Sequence, residues 1–315
     1  MKIFRDFSVA CDVRGASVAI GNFDGVHLGH QSVLELARTA MPDAPWGCVT
    51  FEPHPRRLFR PDDPAFRLMS ASARAGRLNR VGLDVLYEVP FSRSLATLGP
   101  QDFVEQVLCR AMGVAHVVVG HDFRFGIGRS GDVEALTILG QAAGFSVGTA
   151  PILRHGGQEI SSSAIRTALA EGRPADAARM LGHWHQIEGP VLHGFKRGRG
   201  LGFPTANVAL DDVQLPRFGV YASLADVLTG PAAGHYQGVA SIGIRPMFDD
   251  RTAPNLEVFL FDFDRDIYGQ MMSVALVEFL RPEEVFDTVN SLVARMHSDC
   301  ALARNALEAL PAPHR

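Results

Sequence analysis

The chain has little cysteine: Cys11, Cys48, Cys109 and Cys300 are scattered through 315 residues, and no two form a Cys-x-x-Cys pair. This excludes a disulfide framework and a cysteine-built zinc site, and leaves reduced, structural thiols of the kind a cytoplasm maintains. It also lacks an excess of positive charge. With 30 Lys+Arg against 34 Asp+Glu the net charge is -4, so general attraction to nucleic acid or an anionic membrane is not expected and any anion site must be local. No run approaches the ~18 apolar residues of a membrane span. The opening residues Met1-Lys2-Ile3-Phe4-Arg5-Asp6-Phe7 carry charges where a signal peptide would be apolar. A cytoplasmic protein, neither exported nor membrane-spanning, is expected.

At this length two domains are a better expectation than one core, and 47% hydrophobic with 20% charged residues is ordinary globular composition. The chain is organised around residues 17–30. There the apolar Val18, Ala19 and Ile20 meet a turn punctuated by Gly21, Gly25 and Gly29, with His27 and His30 three residues apart. The run is too short for a helix, while Val33, Leu34, Leu36 and Ala37 suit a helix packed on a sheet, so the stretch reads as strand, phosphate loop and helix. Unpaired amides at a helix start attract anions, and two imidazoles there suit a phosphate. Taken singly, His27 reads as a cap and His30 as packing.

Further strands are expected at 47–51, 85–89, 116–120 and 145–149, with a helix at 100–112 whose apolar face is Phe103, Val104, Val107 and Leu108. Strands alternating with helices give a parallel α/β sheet. His54 lies just past a strand end, where ligands bind such sheets, or simply faces solvent. The glycine-rich stretch 120–131, with Phe123, Phe125, Arg124 and Arg129, reads either as stacking surface with phosphate contacts or as a surface loop. Ser161, Ser162, Ser163 and Arg166 open a helix and form either a second anion site or a plain cap.

Helical periodicity stops near residue 183. Short strands at 186–191, 205–208, 220–224, 236–241, 256–260 and 273–280, separated by Gly, Pro and Asp, read as a small antiparallel barrel, with a C-terminal helix, broken once, over 282–310. Residues 193–207 bring three positive charges to a glycine-rich turn, which a basic hairpin would also explain.

Several of these segments carry a resemblance. Gly21-Asn22-Phe23-Asp24-Gly25-Val26-His27-Leu28-Gly29-His30 contains the His-x-Gly-His signature of the nucleotidyltransferase superfamily. In its longer form it resembles the bacterial bifunctional riboflavin kinase/FMN adenylyltransferases, or FAD synthetases. Residues 120–126 are similar to that family's Gly-x-Asp-Phe-x-Phe-Gly segment. Residues 160–166 are similar to the superfamily's Ile-Ser-Ser-Thr-x-Ile-Arg, with Ser163 in place of Thr. Gly202-Phe203-Pro204-Thr205-Ala206-Asn207 is similar to the riboflavin kinase motif, and 215–222 and 256–263 follow as its other landmarks.

The resemblance implies a nucleotidyltransferase-type parallel-sheet α/β domain at residues 1–182 and an antiparallel β-barrel domain with a C-terminal helix at 183–315. The second would phosphorylate riboflavin to FMN and the first would adenylylate FMN to FAD, with ATP and Mg²⁺ serving both. His27 and His30 would donate to the α-phosphate of ATP, while Asn22, Ser162 and Arg166 hold the triphosphate, with the Ser163 hydroxyl retained beside them. Gly21, Phe23 and Asp24, with Gly120, Asp122, Phe123, Phe125 and Arg129, would hold flavin and adenine nucleotide near the reacting phosphates. In the kinase, Gly202 and Pro204 shape the nucleotide turn, Thr205 and Asn207 bind Mg²⁺ and phosphates, and Glu257 is the general base. Strand alternation leaves the face of Glu257 undecided. Partners would be small-molecule flavins and ATP, without nucleic acid or membrane; homo-oligomerisation stays open. The alternatives are an adenylyltransferase for pantetheine phosphate or nicotinate mononucleotide, which leaves the barrel without a purpose, an FAD synthetase with a degenerate kinase domain, and a non-enzymatic flavin-binding regulator. Two departures from the kinase pattern, Ser241 for the usual Asn and Met247 for the usual Thr, are expected to weaken substrate binding.

Overall fold

The structure, a computed structural model, describes residues 1–7, 13–193, 198–246 and 252–310. Contacts divide the chain into two compact units, Met1–Pro64 with Ala71–Ser161, and Ala65–Ser70 with the chain from Ser162 onward.

The first unit runs β1 (Lys2–Phe4), β2 (Ser17–Ile20), α1 (Leu28–Ala40), β3 (Trp46–Glu52), α2 (Pro55–Phe59), α3 (Ala71–Val81), β4 (Val85–Pro90), α4 (Arg93–Ala96), α5 (Pro100–Asp102), β5 (His116–Gly120), α6 (Val133–Ala143), β6 (Ser146–Ala150) and the small hairpin β7 (Arg154–His155) and β8 (Gln158–Glu159). Six strands form one sheet in the order β1-β4-β3-β2-β5-β6, and every pairing in it is parallel. β2 is buried at all four positions, as a central parallel strand covered on both faces must be. Its helix α1 buries Leu34 and Ala37, a spacing of three on one helical face, whereas Leu36 is exposed. Burial drives the thiol of Cys48 in β3 well above its ordinary pKa, so it stays a neutral packing group. The helix expected over 100–112 is present, but from Phe103 to Met112 it is π-helical. It ends as the Gly113 amide bonds to Leu108 O and the Arg14 guanidinium reaches the carbonyls of Cys109, Arg110 and Ala111.

The second unit begins with α7 (Ser162–Ala170) and α8 (Pro174–Leu181), followed by β9 (Gln186–Leu192), β10 (Thr205–Val208), β11 (Gly219–Val227), β12 (Gly234–Pro246), β13 (Thr252–Leu260), β14 (Met271–Arg281) and α9 (Val289–Glu308). The strands close into a six-stranded barrel, β10-β13-β12-β11-β14-β9, antiparallel throughout. Helix α7 is tied to this unit through its backbone: Arg217 N donates to Leu169 O at 2.9 Å and Gln214 Nε2 to Arg166 O at 3.0 Å. The barrel interior holds Ile187, Tyr221, Ile242, Leu256, Val258, Met272 and Leu276 among others. On its outside, Ala303 and Leu307 of α9 pack with Ala222, Phe261 and Val277.

The C-terminal helix differs from the sequence reading. It starts at Val289, not Pro282, and runs unbroken to Glu308, capped by Thr288, whose side chain accepts from Ser291 N. Thr288 is in extended backbone and its hydroxyl takes the Ser291 amide, which sets the first turn at Val289, while residues 282–288 form no regular element. Met247 and the basic residues Lys196 and Arg197 lie outside the described residues.

Candidate active sites

In the first unit, strand order reverses at β2: β3 and β4 lie to one side, β5 and β6 to the other. The loops leaving the carboxyl ends of β2 and β5 therefore flank the switch point where open parallel sheets bind ligands. These are the two loops singled out in the sequence, 21–27 and 121–131.

His27 is the N-cap of α1, and its Nδ1 accepts the amide hydrogen of His30 at 3.2 Å. The neutral ring therefore carries its own hydrogen on Nε2. The His27 and His30 rings stack with centroids 3.6 Å apart and 16° between planes, and Phe23 lies 5.1 Å from His30. A Cβ on Gly29 would sit 3.1 Å from the His27 ring, so the small residue between the histidines permits their approach. Phe23, Asp24, Val26 and His27 are buried and Asn22 is exposed. Phe23 and Val26 have φ of 49° and 43°, a region costly for aromatic and β-branched residues.

The second loop is two-layered. Phe125 is buried in the core against Phe103, 5.6 Å away, while Phe123 stacks on it at 5.7 Å and is half-exposed. Phe125 and Gly131 form a backbone bridge, and a Cβ on Gly131 would come within 2.6 Å of the Phe125 ring, which demands glycine there. Asp122 and Arg129 are exposed. Arg124 pairs with Asp132 at 3.0 Å. His54 caps α2, its Nδ1 accepting from Arg56 N at 3.1 Å.

Ser162, Ser163 and Arg166 belong to the second unit, at the start of α7. Ser163 is exposed; Arg166 is half-buried, with Nε donating to Phe66 O at 2.6 Å.

On the barrel, Leu256, Val258 and Leu260 of β13 face the interior, so Glu257 lies on the outer face. The register sets Asn207 opposite Glu257 on one side and Ser241 opposite it on the other. Thr205 Oγ1 donates to Glu257 Oε2 at 3.1 Å, and Asn255 Nδ2 donates to Oε1 at 2.9 Å. Gly202 precedes this face at φ 84°, and Pro204 is exposed beside it. Periodicity could not show that Asn255 reaches the carboxylate, although its place two residues before Glu257 on the same strand face was a signal. Arg74 and Thr50, which both bond to Asn22 O, were also missed; the signal was an arginine set between Ala73 and Ala75 on a helix.

Residues 10–164 match the family described as FAD synthetase, and residues 181–307 the family described as riboflavin kinase. The bifunctional riboflavin kinase/FMN adenylyltransferase of Pseudomonas fluorescens is 38% identical over 304 residues, 96% of each chain. This chain belongs to the bifunctional riboflavin kinase/FMN adenylyltransferases. The member from Escherichia coli (strain K12) is likewise 38% identical, over 92% of each chain. The chain is thus a transferase that uses ATP to phosphorylate riboflavin to FMN and to adenylylate FMN to FAD, and readings that explain the first half alone fall. The crystal structure of a macrolide-efflux protein from Streptococcus pneumoniae is similar with a TM-score of 0.82 at 32% identity, covering 92% of this chain and 94% of that one. Efflux is said of that protein alone. Among the described residues here, no helix is long and apolar enough to cross a membrane.

Proposed function

We propose that residues 1–182 carry the adenylyl transfer and residues 183–315 the riboflavin phosphorylation, each at the cluster described above. In adenylyl transfer an FMN phosphate oxygen attacks the α-phosphorus of ATP, a new P–O bond forms, and the bond to pyrophosphate breaks. No protein nucleophile is needed; positioning and charge stabilisation suffice. His27 and His30 donate to the α-phosphate oxygens as charge builds, a role supported by the cap that leaves the His27 hydrogen on Nε2. Asn22 and the amides of Phe23 and Asp24, which follow Gly21, bind phosphate. Phe123 offers a ring face to flavin or adenine with Phe125 as its support, Gly120 and Asp122 shape that loop, and Arg129 neutralises phosphate. Ser162, Ser163 and Arg166 form a further phosphate-binding element at the start of α7.

In the kinase the riboflavin ribityl hydroxyl attacks the γ-phosphorus, Glu257 accepts its proton, and ADP leaves. The observation that carries this reading is the pinning of Glu257 through both oxygens, by Thr205 and Asn255. A carboxylate oxygen can accept more than one hydrogen, so holding Glu257 in this way is compatible with its receiving a proton. Gly202 and Pro204 set the turn that leads ATP to this face. Thr205 and Asn207 offer neutral hard oxygens beside a carboxylate, a donor set that fits Mg²⁺, which fills its shell with phosphate oxygens and water. Bound there, Mg²⁺ would draw charge from the ATP phosphates. The same reading keeps both reactions in the cytoplasm, in keeping with the free thiols of Cys48, Cys109 and Cys300.

The test is to incubate the purified chain with riboflavin, ATP and Mg²⁺ and separate the flavins. His30→Ala should accumulate FMN, and Glu257→Gln should convert supplied FMN to FAD while leaving riboflavin untouched. The opposite pattern overturns the division.

A further inference from the structure

Arg74 is among the most completely buried side chains of the protein, at 1% exposure. A buried arginine needs its charge paired, and Arg74 is held through its two terminal nitrogens, its Nε making no hydrogen bond among the described residues. Nη2 lies 3.0 Å from Glu52 Oε2 and 3.4 Å from Glu88 Oε1, and Glu88 is also held by Arg5 at 2.8 Å. Nη1 takes a different acceptor, the backbone carbonyl of Asn22, at 3.3 Å. Thr50 Oγ1 donates to the same carbonyl at 3.2 Å.

That carbonyl heads the Asn22–Phe23 peptide, directly before Phe23 at φ 49°. A trans peptide is planar, with C=O and N–H opposed. Drawing Asn22 O towards Arg74 and Thr50 therefore turns the Phe23 amide away from the ion cluster, and fixes the entry to a loop that would otherwise relax from its strained dihedrals. The buried Phe23 ring helps to hold the entry, and the far end of the loop is anchored by Gln31 Nε2 on Val26 O at 2.8 Å.

We infer that Arg74, together with Thr50, is a positioning residue for adenylyl transfer, holding the Asn22 carbonyl so that the 22–26 loop keeps the shape in which it leads into His27 and His30. Arg74 does not touch substrate; it acts through the loop. The inference rests on the proposed role of His27 and His30, which lie on the same loop and helix start.

The test measures FAD formation from FMN and ATP in the full chain, with riboflavin kinase activity and thermal midpoint on the same samples. Thr50→Val removes one donor to the carbonyl without altering charge, and should lower kcat for FAD formation roughly 3- to 10-fold with KM nearly unchanged. Arg74→Met should lower kcat about 10-fold or more, while Arg74→Lys, which keeps a charged donor, should restore most of it; kinase activity should be unaffected throughout. If Thr50→Val keeps the parent kcat, the inference is overturned whether or not Arg74→Met folds. It is equally overturned if Arg74→Met lowers the midpoint but the folded enzyme turns over normally. His30→Ala separates the two levels: full FAD synthesis in that variant sinks the underlying site reading, whereas its loss beside an unaffected Thr50→Val sinks the Arg74 inference alone.

Discussion

Ser241 stands directly opposite Glu257 in the β12–β13 ladder, on the outer face of the barrel that also carries Thr205 and Asn207. A position where the kinase pattern usually has Asn is thus a cross-strand neighbour of the proposed base. A hydroxyl is shorter than an amide and lacks its second donor. Ser241→Asn is therefore expected to raise kcat/KM for riboflavin phosphorylation, chiefly by lowering KM, by as much as ~10-fold if a buried partner is regained. Steady-state kinetics with varied riboflavin and ATP check this. An unchanged kcat/KM in a folded variant would mean that water or a neighbour already supplies the missing bonds.

His30→Ala should lower FAD formation by roughly 10²–10³, the usual cost of losing one transition-state donor, while riboflavin phosphorylation keeps its parent rate. Glu257→Gln should reverse the pattern. Because each variant is assayed for both reactions, the untouched activity reports that its own unit is folded. Equal loss of both activities in a folded variant would count against the assigned roles.

Arg281 at the end of β14 and Asp299 on α9 form a buried two-pronged pair, Nε to Oδ1 at 2.9 Å and Nη2 to Oδ2 at 2.8 Å. Cutting one partner from a buried pair costs about 3–5 kcal/mol when the other charge is stranded; here Glu284 Oε2, 3.8 Å from Arg281 Nη1, offsets part of that. Asp299→Ala is therefore expected to destabilise the second unit by about 2–3 kcal/mol in urea denaturation, towards the lower end of that range. The double change Arg281→Met with Asp299→Leu should cost much less. A double variant as unstable as Asp299→Ala would show that geometry, not the stranded charge, matters.

His185 supplies a pH dependence. Burial pushes its pKa down from 6.5 to about 4, opposed by the bond from Nε2 to Leu68 O at 2.9 Å. The unfolded chain takes up a proton near pH 6.5, and the folded chain not until about pH 4. This contribution to stability is therefore fully present above pH 6.5 and is lost as pH falls towards 4. The slope is about 1.4 kcal/mol per pH unit, roughly 3 kcal/mol in all. Denaturation followed by Trp184 in a Trp46→Phe background should show the loss between pH 7 and 5, and His185→Gln should flatten it. Parallel slopes for parent and variant would refute the assignment.

What could be read from the amino-acid order was the local and the periodic. The strand-loop-helix at 17–40, the run of short strands after residue 183 and the motifs at 21–30 and 202–207 are contiguous, and hydrophobic period and glycine spacing are properties of contiguous chain. The start of α9 lies later than the composition over 282–288 suggests, because that composition does not forbid a helix, whereas the extended Thr288 cap sets the first turn at Val289. The order of strands, which brings the loops after β2 and β5 to one edge, was settled by non-local pairing. So were the outward face of Glu257, its pinning by Thr205 and Asn255, and the burial of Phe125 beneath Phe123. Arg74 meets Asn22 across 52 positions of sequence, and no spacing rule reaches that far. Such contacts exist because packing the sheet against its helices leaves a buried charge to be satisfied, and that requirement arises when the chain has already folded.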